Sequence, residues 1–307
     1  MLAGCGGSQP PIGGPATMPR ASAIATHADR GTSWMAPEAK NEDLLYVAGG
    51  GSLHGWVRVY SYPQSKLVGK ITGLDLPYGE CVDRTGDVWV ITNFLDTATE
   101  YAHGGTTAIA TLSVPGSNAY ACAVDPTTGN LAVTNTSGVS IFPDAQGTPT
   151  TYTDWGQAYF CTYDDDGNLF ALTGDELTEL PRGSSSFIIM DFSKNETALR
   201  NVQWKGRYLV VGGAPVSGKH GSPEPVYQVS VSGSEATVVK TLQLVVSRER
   251  SDNAEFCVQG RTIVQPVDSG KQIAIWAYPA GGNPLKLIAS KGAEKFDTLG
   301  VAVSPAK

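Results

Sequence analysis

Three tyrosines recur at one register in this chain. Tyr78, Tyr120 and Tyr159 each stand five residues before an aspartate (Asp83, Asp125 and Asp164), and Asn93 and Asn135 each follow their aspartate by ten. Phenol rings stack on sugars and peptides, and phenols and amides hydrogen-bond to them. Five such side chains in equivalent places suit a polar small molecule, a sugar or a peptide. The same recurrence also suits tyrosines that pack between neighbouring repeats. Catalytic chemistry finds less support. There is no Gly-x-Ser-x-Gly element on a strand–turn–helix. The run Gly49-Gly50-Gly51 precedes a strand rather than a helix, so neither a phosphate loop nor a dinucleotide fingerprint is present.

The elements that must position these residues come in copies. Tyr120-Ala121-Cys122-Ala123-Val124-Asp125-Pro126-Thr127-Thr128-Gly129-Asn130-Leu131-Ala132-Val133-Thr134-Asn135 reads as two short strands joined by a tight turn. Aspartate opens that turn by bonding its own backbone, proline pre-sets φ, and glycine takes the positive-φ position. The phrase recurs from Tyr78 to Asn93 and from Tyr159 to Thr173, with turn aspartates 42 and 39 residues apart. That spacing is close to the roughly 40–45 residues of a four-stranded propeller blade. The turn aspartates cap their own hairpins and read as structural.

Two further strands are predicted after each hairpin: Thr97–Ala102 and Thr107–Leu112, Gly138–Phe142 and Pro149–Thr153, then Glu176–Leu180 and Phe187–Asp191. A fifth unit, Asn201–Val211, turns on Lys205-Gly206 and carries an insertion, Gly212–Pro225, that contains Lys219 and His220. A sixth, Glu255–Val264, turns on Gln259-Gly260, and its third strand Gln272–Pro279 echoes Val57–Pro63. The strands Leu44–Ala48, Trp56–Tyr62 and Leu67–Ile71 lack an inner strand, whereas Leu299–Pro305 is an inner strand with nothing after it. The two complete one blade, and the ring so closed leaves no open sheet edge at the seam. The predicted fold is all-β: a six-bladed propeller of four-stranded blades over residues 42–307, closed by its C-terminal strand.

Ahead of the propeller, residues 21–41 read as an irregular segment pinned by Trp34 and Met35. Residues 1–20 read as a flexible Gly/Pro/Ser tether. Leu2-Ala3-Gly4-Cys5 has the form of a bacterial lipobox, which makes Cys5 a lipidation site. The expectation is an exported protein held at the bacterial cell envelope by acyl chains, because no run approaches the roughly 20 apolar residues of a spanning helix. The net charge of −7 is carried without an acidic run, and no basic stripe suggests nucleic acid.

The phrase Pro77-Tyr78-Gly79-Glu80-Cys81-Val82-Asp83-x-x-Gly86-Asp87-Val88-Trp89-Val90 resembles the NHL repeat, and the chain after residue 41 resembles NHL and SMP-30-like six-bladed propellers. That group includes lactonases and lyases as well as binding scaffolds. Its metallo-lactonases hold one divalent cation in the central channel through Glu, Asn and Asp. The resemblance implies a site for a single Ca²⁺-like ion, for which Glu80, Glu255, Asn118, Asn201 and Asn253 have suitable oxygens. Its lyases use histidine near the channel, but His27, His54, His103 and His220 all lie outside the inner-strand phrases.

Cys81, Cys122, Cys161 and Cys257 all fall inside those phrases, and their spacings match no zinc signature. A disulfide needs Cα atoms within about 7 Å, and inner strands of neighbouring blades usually stand further apart than paired strands. The expectation is four buried, packed thiols. Taken together, the residues favour a non-catalytic protein binding a polar ligand at the channel mouth. A metal-dependent hydrolase or lactonase, and a protein-interaction platform using the blade-five insertion, are the alternatives.

Overall fold

The computed structural model describes residues 31–50, 54–174, 176–193, 199–214, 222–245, 255–267, 270–289 and 298–307. They form six sheets, antiparallel except for one two-residue edge strand, each with an innermost strand beside a central channel, in the arrangement of a six-bladed β-propeller. Blades two, three and four run outward in chain order. Their inner strands are Pro77–Val82, Cys122–Val124 and Ala158–Tyr163, and their second strands are Val88–Thr92, Leu131–Asn135 and Leu169–Thr173. Every residue of those second strands is buried. A strand covered by a blade on each face must be apolar on both sides, so these segments read as continuous runs rather than alternations. Outer strands alternate more loosely, as in Ala108–Ser113.

The ring closes as the sequence requires. The C-terminal strand Thr298–Ser304 pairs antiparallel with Leu44–Gly49, setting Ser304 opposite Leu44 and Gly300 opposite Ala48. Ser304 Oγ donates to the Gly86 carbonyl in the neighbouring blade, and His103 Nδ1 lies 2.6 Å from the same oxygen. His103 Nε2 reaches the Glu42 carbonyl at 3.1 Å. Lys307 pairs with Asp87 at 3.2 Å. Blade two and both ends of blade one are thus tied at one seam.

Blades one and five are wider than the expected four strands. Trp34–Met35 pairs with Lys70 and Gly69 on the outer edge of blade one. Gly69 makes room there for the Met35 side chain, whose sulfur lies 2.2 Å from where a Cβ would stand. The expected strand Phe187–Asp191 is split: Ile188–Ile189 stays on blade four, while Asp191–Phe192 crosses to pair in parallel with Glu235–Ala236 of blade five. Met190 between them is 2% exposed and belongs to a core cluster shared by blades four and five. Its burial turns the chain from one blade to the next. Of the expected blade-five insertion, Gly212–Gly213 and Glu224–Pro225 belong to strands. Lys219 and His220 lie outside the described residues.

The turn aspartates do cap their hairpins. Asp83 Oδ1 accepts from the backbone N–H of Thr85 and Asp87, Asp125 Oδ1 from that of Thr127, and Asp164 Oδ1 from those of Asp166 and Asn168.

Candidate functional site

Tyr78, Tyr120 and Tyr159 meet at one end of the channel. The Tyr78 and Tyr120 ring centroids are 5.4 Å apart in an edge-to-face contact, and those of Tyr120 and Tyr159 are 5.4 Å apart and tilted. Such pairs stabilise one another, so the three rings form one row across three blades. All are partly exposed. Among the described residues only the Tyr120 hydroxyl has a hydrogen-bond partner, the Gln157 side-chain amide at 2.8 Å. Burial first, then the neighbouring phenols, pushes the Tyr78 hydroxyl up to about 12, so it stays a neutral donor and acceptor.

The loops around this row are tied by buried amides. The Asn93 side chain donates to the Ala119 carbonyl at 2.9 Å, and that of Asn135 donates to Pro115 while accepting from the Ser137 N–H. Asn93 is 5% exposed and Asn135 is fully buried. Both were expected at the mouth; both are instead buried, fixing the loop that leads into Tyr120. The physical reason is that a loop entering an inner strand must satisfy its own carbonyls once two blades cover it. Two of those loops carry residues that no repeat predicted. Phe94 and Leu95 follow Asn93 and Trp155 precedes Gln157, with 55%, 60% and 41% exposure.

A second feature lies deeper in the channel. A cavity of about 190 Å³ runs along the distal halves of the six inner strands, and none of the three tyrosines lines it. Glu80 and Glu255 both do, and the Glu80 N–H donates to Glu255 Oε2 at 3.0 Å. Glu80 is 3% exposed, and neither of its carboxyl oxygens has a hydrogen-bond partner of good geometry, although the Ala48 backbone amide gives partial electrostatic relief. Burial, then the Glu255 charge, raises the Glu80 carboxyl well above the usual carboxylate range. Burial likewise raises Glu255 to about 8, against the opposing effect of the Glu80 and Val301 N–H groups.

The remaining oxygens expected for a divalent cation do not join them. Asn118 sits on a left-handed turn at φ 52°, Asn201 is buried in the blade-five inner strand, and neither lines this cavity. Asn253, like Cys5, lies outside the described residues. Of the other polar walls, Gln203 Oε1 already accepts from the Val258 N–H and Thr162 Oγ1 from the Trp204 N–H. A Ca²⁺-like ion takes six to eight oxygens. The set assembled here does not fit one. On the face of the hairpin turns, carboxyl oxygens of Asp83, Asp87 and Glu100 lie within 4.8 Å of one another. Turn capping and the Lys307 pair account for the two aspartates.

The expectation of four free thiols is overturned. Cys81 and Cys122 form a disulfide with Cα atoms 5.6 Å apart, and Cys161 and Cys257 are free and buried. The inner strands of blades two and three come this close because Gly79 has no side chain. A Cβ there would lie 2.5 Å from the Tyr120 carbonyl oxygen and 2.7 Å from Ala121 Cα. Gly300 repeats the device on the other side, against the Tyr78 carbonyl. Small residues at one level let three inner strands converge, and the cysteines just beyond Gly79 and Ala121 meet.

No protein-family model and no curated protein matches the chain. Solved structures do. A chain of a nidogen/laminin complex superposes with a TM-score of 0.62 at 9% identity, covering 86% of this chain and 99% of that one. The β-propeller domain of Myceliophteria thermophila Cps50 (Swd1) gives 0.54 at 10% identity over 84% and 86%. A chain of Kuenenia stuttgartiensis hydrazine synthase gives 0.50 at 13% over 74% and 75%. The likeness is one of fold. A β-propeller serves in general as a platform for binding or interaction, and particular chemistry resides in the side chains mounted on it.

Proposed function

We propose that this protein is a non-catalytic binding propeller that receives a sugar or a peptide on the tyrosine row. One observation carries the reading: Tyr78, Tyr120 and Tyr159 form a continuous, partly exposed aromatic surface across three blades. Two of their hydroxyls have no partner among the described residues, and Phe94, Leu95 and Trp155 lie on adjoining loops. Tyr78 and Tyr159 stand on inner strands, and the buried Asn93 and Asn135 amides hold the loop that leads into Tyr120, so the rings bind at little entropic cost. The blade phrase supports a place beside NHL and SMP-30-like propellers, in their scaffold branch rather than their metal-dependent one.

We further propose export and lipid anchoring at Cys5. The Leu2–Cys5 box supports it, as does the Cys81–Cys122 disulfide, since disulfides persist in oxidising compartments.

Glycan and peptide arrays probed with the intact protein test the binding reading. Hits should be lost in the Y78F/Y120F/Y159F variant while its melting point changes little, because only the Tyr120–Gln157 bond, worth about 1 kcal/mol, is removed. Array hits that the triple variant retains in full would overturn it.

A further inference from the structure

The loops that lead into the three tyrosines are acidic. Asp96 Oδ1 accepts the Ala119 N–H at 3.1 Å, which ties a carboxylate to the residue before Tyr120. Asp154 and Trp155 form the exposed tip of a turn closed by the Gly156 N–H on the Thr153 carbonyl. Gln157, just after that turn, holds the Tyr120 hydroxyl at 2.8 Å. Asp75 stands three residues before Tyr78, so at most about 11 Å of backbone separates them, and the Leu76 carbonyl beside it accepts the Asn93 N–H. Each entry loop thus has a carboxylate on it or bonded to it.

Among the described residues, the loops of blades two to four on this face carry no lysine or arginine; Lys271 belongs to blade six, opposite blade three. Arginines gather on the other face, where Arg84, Arg182, Arg207 and Arg261 are exposed on turns. Carboxylates on the entry loops set a negative potential that reaches about 8 Å at physiological ionic strength. Aromatic faces are negative too.

We infer that the occupant of the tyrosine row, on the binding reading above, is an extended peptide bearing arginine or lysine rather than a sugar. A cation is drawn to a tyrosine face within about 6 Å, and nearby carboxylates add to the attraction. A neutral sugar gains nothing from that field. Two ring-to-ring steps of 5.4 Å match about three residues of extended chain at about 3.3 Å each. The Tyr78 and Tyr159 hydroxyls, without a partner among the described residues, serve its main-chain groups.

The test is calorimetric titration of the full chain with four probes. Two are acetylated and amidated peptides, Gly-Arg-Gly-Arg-Gly and the same chain with citrulline in place of arginine. The others are a chitin pentasaccharide and its deacetylated, cationic form. In low salt the arginine peptide should bind about tenfold or more tighter than the citrulline peptide, and most of that margin should vanish at about 0.5 M salt. Asp96→Asn/Asp154→Asn, which keeps an acceptor for the Ala119 N–H, should melt as wild type does and lose most of the margin. Four results would overturn the inference: no binding of the arginine peptide, equal affinity for the two peptides, an undiminished margin in the double variant, or tighter binding of either oligosaccharide. The Y78F/Y120F/Y159F variant separates the two levels of the argument. Full affinity for the arginine peptide in that variant would refute the row as the site. Two peptides bound alike by wild type and lost together in that variant would refute only the preference for charge.

Discussion

Removing the Cys81–Cys122 crosslink should destabilise the propeller by about 4 kcal/mol. The bridge closes a sequence separation of 41 residues. Chain-entropy reasoning for a loop of that length gives about 0.6 kcal/mol plus a logarithmic part of about 3.3 kcal/mol at 25 °C. Both half-cystines are on inner strands where Gly79 and Ala121 already hold the backbones together, so the folded state of a Cys81→Ala/Cys122→Ala variant should keep its geometry. The loss then falls mainly on the unfolded side. For a chain of this size, 1 kcal/mol moves the melting point by about 2 °C, which makes the expected drop about 8 °C. The assay is a melting curve of wild type and double variant, each with and without reductant. Reductant should lower the wild-type curve towards that of the variant and leave the variant unmoved. Besides Cys5, unfolded and unreduced protein should titrate two thiols, Cys161 and Cys257. Four thiols, or a variant that melts with wild type, would refute the convergence of these strands.

Three further outcomes follow from the same geometry. Glu80→Gln should match wild type near pH 4 and melt progressively higher above it. The folded-state value of Glu80 lies well above the ordinary 4.5, so wild type loses stability as pH rises past that value while the neutral amide does not; a gap that stays constant with pH would contradict this. His103 has the opposite sign. Burial lowers it below the ordinary 6.5, so wild type should lose stability as pH falls through that value, and His103→Gln should flatten the slope seen in melting curves at pH 5 to 8. Deleting Gly300–Lys307 removes the strand paired with Leu44–Gly49 and the Ser304 contacts at the seam. The truncated chain should be insoluble or melt far below wild type, and an unchanged melting point would contradict closure by that strand.

Much of the architecture is legible in the sequence because a radial repeat states it several times. The aspartate turn fixes each hairpin, and the orphan phrase at Leu299–Pro305 completes a blade that begins at Leu44. Part of what escaped does not repeat. Trp34–Met35 and Asp191–Phe192 are two-residue strands, too short to show a period, and they extend blades one and five. The disulfide depends on a spacing between blades that strand patterns do not encode. Its signal was nonetheless present, as Gly79, Ala121 and Gly300 crowd one level of the ring. Asn93 and Asn135 recur for the loops' own hydrogen bonds rather than for a ligand, a distinction that residue type alone cannot make. The cavity gathers its walls from six separate strands, including Gln203 and Gln259 in the degenerate blades, where no register aligned them.

The most direct test of the binding account is to watch the tyrosine rings themselves. The chain has twelve tyrosines, and ring-labelled protein allows each to be assigned by substitution and followed by NMR as an array-selected sugar or peptide is added. The account predicts saturable shifts at Tyr78, Tyr120 and Tyr159, with Tyr46, Tyr60, Tyr101 and Tyr163, all buried elsewhere, unmoved. Shifts centred on Tyr163 in the cavity wall, or binding that leaves the three-ring row unchanged, would contradict it.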